Sequence, residues 1–79
     1  MHTIIITLDG KIYSGRTCDE AVSKMRDAGI FTVGKSNEEY MQGVVARVKH
    51  LDGVDVRMTS AEVFLIDMAK HKILMMRNF

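Results

Sequence analysis

Proline is absent, cysteine occurs once, and no low-complexity stretch, internal repeat or block of like charge interrupts the 79 residues. Each absence removes a class of protein. The lone Cys18 cannot close an internal disulfide, so a secreted, disulfide-stapled scaffold is excluded and an intracellular setting is expected. Three scattered histidines, His2, His50 and His71, add no ligand pair at the spacing of a structural zinc, so neither a metal nor another cofactor is expected. No segment approaches the roughly 18 apolar residues of a membrane helix, and the start, MHTIIITLDG, lacks the basic lead-in of a signal peptide. A cytoplasmic protein without membrane contact is the expectation. With no linker to divide it, the chain reads as a single small domain over residues 1–79.

A formal net charge of +1 is neither the excess of a basic nucleic-acid glove nor that of an acidic duplex mimic, so direct nucleic-acid binding is not expected. A chain of this length buries only roughly 60% of the surface it exposes when unfolded. Support from a partner or a second copy is compatible with that.

What the chain does have is dense local punctuation. Thr3 to Leu8 is β-branched nearly throughout, and Asp9-Gly10 separates it from the run Lys11 to Gly15, a hairpin pattern in which glycine takes the positive φ of a tight turn. A two-residue turn would pair Leu8 with Lys11 and set Tyr13 on the face of Ile4 and Ile6. A three-residue loop with a glycine bulge pairs Thr7 with Lys11 instead, and it is favoured because it gathers Ile4, Ile6 and Ile12 into one apolar face. Capping boxes at Thr17–Glu20, Ser36–Glu39 and Thr59–Glu62 each predict a helix start. The first helix should run to about Ala28 with Gly29 as its stop, the second to about His50, and the third to about His71. In the second, Tyr40, Met41, Val44, Val45, Val48 and Leu51 form the inward stripe. The alternation of Val54, Val56 and Met58 with polar residues predicts a strand with one buried face. The expected fold is α+β in the order β-β-α-α-β-α, a three-stranded sheet with helices packed on one face and residues 73–79 as an apolar tail.

One stretch makes a specific chemical claim. GIFTVGKS, residues 29–36, matches the phosphate-loop pattern G-x-x-x-x-G-K-[ST], and VFLID, residues 63–67, resembles the segment that carries the magnesium-holding aspartate. A phosphate loop needs a buried strand to deliver it, yet Val22 to Ala28 is the body of a capped helix, and Asp67 falls inside the third helix. Several parallel strands with crossover helices also need far more chain. The stretch is read as a joint between helices: Gly29 ends one, Ile30, Phe31 and Val33 plug the core, Gly34 turns the chain, and Ser36 caps the next. Lys35 beside Ser36 keeps a weaker anion-binding reading at a helix start, opposed by Glu38 and Glu39.

Cys18 sits in a first helical turn near Arg16 but has no histidine at a spacing that supplies a base, so it reads as an apolar helix residue. Arg47 and His50 share the outer face of the second helix. Gly43, at a mid-helix cost of about 1 kcal/mol relative to alanine, marks close approach of another backbone, from this chain or a partner. Val63 and Ile66 fall partly round the side of the third helix, and the apolar tail follows. Seven methionines suit adaptable contact surfaces as well as irregular cores. The expected contact residues are Tyr13, Arg47, His50, Val63, Ile66 and Met76.

Taken together, DGKIYSGRT, EAVSKMR, EEYMQGVVARV and TSAEVFL resemble a group of small proteins of phages and mobile elements, over nearly the whole chain. The resemblance implies an inhibitor of host defence, similar to anti-CRISPR proteins, that binds a host complex such as a Cas effector and occludes it. It transfers no functional residues. The expected function is therefore a non-enzymatic binding protein. The alternative is a homo-oligomeric sponge for a nucleotide signal, with Lys35 and Arg47 on phosphates at a subunit junction.

Overall fold

Strand β1 (Thr3–Thr7) pairs antiparallel with β2 (Ile12–Gly15), Ile6 lying opposite Ile12 and Thr3 opposite Gly15. The Thr7 amide donates to the Lys11 carbonyl at 2.9 Å and the Gly10 amide to the Thr7 carbonyl at 2.9 Å, with Gly10 at φ 84°. This is the three-residue loop, and the register expected from it holds. The choice of buried face does not. Ile5 is fully buried while Ile12 is 67% exposed, so the helices cover the face of Ile5 and leave that of Ile4, Ile6 and Ile12 open. A strand with isoleucine at three successive positions is apolar on both faces, and only what packs on it selects one.

Three helices follow the hairpin. α1 (Cys18–Asp27), α2 (Asn37–Asp52) and α3 (Ala61–Lys70) begin after Thr17, Ser36 and Ser60, each hydroxyl accepting the amide three residues on at 3.1 Å. Only at Ser36, among the described residues, is the box closed in both directions, by the Glu39 carboxylate on the Ser36 amide. The third cap is Ser60 rather than Thr59, one residue later than the sequence pattern placed it. α1 turns Ala21 and Val22 into the core, α2 Met41, Val44 and Val48, and α3 Phe64, Leu65 and Met68. Leu51, assigned to the α2 stripe, lies in the last turn of the helix and is exposed.

The computed structural model describes residues 2–79, and it puts the third strand elsewhere than expected. Burial alternates along residues 54–58, with Val56 buried and Val54 and Met58 packed against the core, but they pair with no strand. Alternation reports one-sided burial of an extended backbone; it carries no information on a ladder partner. The strand is instead β3 (Leu74–Asn78), the segment read as a tail, antiparallel to β1 with Ile5 opposite Met76. The sheet order is β2-β1-β3. The fold is thus α+β with a three-stranded sheet and helices on one face. α1 and α3 lie on the strands and α2 packs on α1 and α3, a second helical layer. No described helix is long and apolar enough to cross a membrane.

The unpaired segment is held by a side chain. Asp67, buried on α3, accepts from the Arg57 backbone amide at 2.9 Å, from Nε at 3.0 Å and from Nη2 at 2.9 Å. The Arg57 guanidinium, and then its amide, keep the Asp67 carboxyl well below the usual carboxylate range. After α3 the chain reverses through Lys72 at φ 60°, the Lys72 amide donating to Ala69 and the Ile73 amide to Met68, a Schellman closure without the customary glycine.

Two outcomes follow for stability. Asp67 titrates in the folded state below its ordinary value of 3.8, so its stabilisation is complete above that value and disappears as acid protonates it. Asp67→Asn should lower Tm at neutral pH, and thermal melts between about pH 5 and pH 2 should show the gap from the parent closing. Lys72→Gly removes the left-handed strain of a residue with a Cβ and should raise stability by about 1 kcal/mol, seen in urea titration as a higher midpoint at unchanged slope.

Candidate functional site

The loop between α1 and α2 is built around a polar residue. The Thr32 hydroxyl donates to the Arg26 carbonyl at 2.7 Å, inside the last turn of α1, and the Thr32 and Val33 amides both donate to the Gly29 carbonyl, at 3.2 and 2.9 Å. Gly29 is required by close approach, since a Cβ there would drive into the Thr32 hydroxyl. Gly34, at φ 89°, then turns the chain and the Lys35 amide closes on the Thr32 carbonyl at 3.1 Å. Beyond the loop, Asn37 ties the start of α2 back to α1: its amide nitrogen donates to the Asp19 carbonyl at 3.1 Å, and its oxygen accepts from Arg26 Nη1 at 2.9 Å.

With Thr32 turned inward, its neighbours turn outward. Ile30 is 83% exposed, Phe31 85% and Val33 57%, which overturns their assignment as a core plug. The expected role of the stretch as a joint between two helices holds, but the plug is the threonine. The amides of Thr32, Val33 and Lys35 are engaged with the loop's own carbonyls and that of Ser36 with Glu39, so these four are not available to wrap a phosphate. Asp67 likewise faces Arg57 and not the loop.

Phe31 overhangs a cleft with two chambers of about 280 and 180 Å³, which share Phe31, Thr32, Tyr40 and Arg47 in their walls. Lys11 and Tyr13 of the hairpin close one side, and Lys35, Glu39 and Gly43 the other. Burial raises the Tyr40 phenol above its ordinary value, with Arg47 acting against the shift and Tyr13 adding to it. Glu39 is the acid in these walls; its carboxyl is lowered mainly by the Ser36 amide and hydroxyl that it bonds in the capping box. Lys11, Lys35 and Arg47 thus ring two tyrosines and an exposed phenylalanine, a setting for desolvated aromatic and cation contacts. A Cβ at Gly43 would meet nothing within 4 Å, so among the described residues no other element packs closely on it.

Of the residues expected to contact a partner, Tyr13 and Arg47 meet in this cleft, and Lys35 lines it. His50 is exposed further along α2, and Val63 and Ile66 lie on α3, half-buried and 42% exposed. Met76 packs against the core from β3, and its neighbour Met75 is the residue that the strand exposes. Ser36 does not hold an anion site open, because the Glu39 carboxylate already fills the start of α2. The Cys18 sulfur lies 3.8 Å from the Thr3 hydroxyl, and no described group of His, Cys, Asp or Glu is arranged to hold a metal. Sequence reasoning missed Tyr40, assigned to the core stripe, and Phe31. The available signal was the pair of glycines enclosing a short connection between capped helices, whose middle has to form a tip.

Gly29→Ala should cost about 1–3 kcal/mol through the clash with Thr32 and should open the loop, read as faster protease cleavage at residues 30–33 in a chain that is otherwise folded. No family model, curated protein or solved structure matches this chain.

Proposed function

We propose that this chain is a non-enzymatic binding protein that inhibits a host defence or nucleoprotein complex by occlusion, docking through the 30–33 loop and the adjoining cleft. The observation that carries the reading is the exposure of Ile30, Phe31 and Val33 on a loop braced from within. Burying a side chain of this kind contributes about 1.5–3 kcal/mol, so three together supply several kcal/mol of gross binding energy. Bracing reduces the ordering cost, because the loop need not be frozen on contact. An exposed phenylalanine beside Arg47 and two tyrosines has the composition of an interface hot spot. Occlusion asks for no more than such a contact. That the partner belongs to a defence complex such as a Cas effector rests on the resemblance to phage proteins, which also favours the host cytoplasm as its setting.

A second reading, capture of a phosphorylated small molecule, is favoured by Lys11, Lys35 and Arg47 around the same cleft. The two separate cleanly. Pull-down from a lysate of the native host should retain a defence or nucleoprotein complex, and Phe31→Ala should weaken its binding by about thirtyfold or more while leaving Tm unchanged. A rise in Tm with a nucleotide, abolished by Arg47→Ala and indifferent to Phe31→Ala, would move the assignment to the second reading.

A further inference from the structure

The side of the sheet turned away from the helices carries Ile4 and Ile6 of β1, Ile12 and Ser14 of β2, and Met75 and Arg77 of β3, by the strand register. Phe79 continues the alternation opposite His2, the two exchanging backbone hydrogen bonds at 3.0 and 2.8 Å. Ile12 and Phe79 are each 67% exposed and Met75 56%, and Leu8 at the hairpin end is 80% exposed. The face holds no acid. Its charge in the strand register, Arg77, lies toward the end at which β3 finishes.

The accessible surface is 5257 Å², against about 4800 Å² expected for a folded monomer of 8.9 kDa. Apolar side chains of this face present about 600 Å², at the upper limit for the largest patch of an ordinary monomer, and with the polar rim the area reaches the roughly 800 Å² per partner of a stable dimer.

We propose that this face is covered by the same face of a second copy, giving a two-layer β-sandwich with the helices outside. Two twisted three-stranded sheets pack about 10 Å apart with their side chains interdigitated, and a self-complementary apolar face meets that requirement with a two-fold axis. The axis lies in the plane of the interface. The cleft at the 30–33 loop lies on the helix-covered side, so this inference is independent of the partner reading.

Sedimentation equilibrium of the full chain over a concentration series tests it. The mass should climb from 8.9 kDa toward twice that value with a Kd of order 1–100 μM. Ile12→Glu and Phe79→Glu, on opposite edge strands and already exposed in one copy, should each keep the Tm of a dilute sample and weaken association at least a hundredfold. Phe31→Ala should leave the mass unchanged. A chain that stays at 8.9 kDa up to about 500 μM overturns the proposal and assigns the face to a foreign partner. A dimer lost with only one of the two glutamate variants overturns it equally, because it would be joined through a strand edge.

Discussion

The return of the last strand to the side of the first is the constraint on which the other contacts depend. β1 is the middle strand, and β3 reaches it from the far end of the chain, so nothing in the sheet is complete until α3 has formed and reversed at Lys72. Once paired, β1 offers Thr3 and Ile5 to α1, and β3 carries Leu74 against α3, all buried. The Thr3 hydroxyl donates to the Asn78 side chain at 2.9 Å, tying the two ends of the chain by side chains as well as by backbone. A three-stranded sheet is too narrow to wrap round a core. It accepts one helical layer, and a second helix has to pack on the first.

The same economy explains how the chain keeps non-sheet segments in place. Residues 54–58 gain no ladder, and the Asp67 carboxylate satisfies the Arg57 amide that a neighbouring strand would have taken. The 29–35 loop gains no apolar core, and Thr32 takes that role through the end of α1. In both places a polar side chain stands in for secondary structure. The consequence for function is direct: apolar residues freed from anchoring duty at the loop are exposed on a rigid support, where a partner can bury them.

Two apolar surfaces therefore remain, and they differ in kind. The loop is a small convex knob beside a cleft rimmed by cations, which suits a complementary pocket on a larger partner. The open sheet face is flat and free of acids, which suits another sheet. A domain of 79 residues has little interior to spare, and both surfaces hold side chains that the single core could not accommodate.

Local signals in the sequence were enough for the local elements. Hydroxyl caps set the helix starts, Asp9-Gly10 set the hairpin and its register, and Gly53 in a left-handed conformation ended α2. They were enough because each rests on contacts within a few residues. Of the candidate site, Tyr13, Lys35 and Arg47 were legible as surface residues, but not their convergence on Tyr40. Three matters were left to the tertiary structure: which face of β1 is buried, whether residues 54–58 or 74–78 complete the sheet, and whether Ile30, Phe31 and Val33 point in or out. Each depends on a partner distant in sequence, and the local pattern is equally apolar under either answer. The amino-acid order alone determined the elements; their pairing, decided only in the folded chain, determined which apolar residues became core and which became surface.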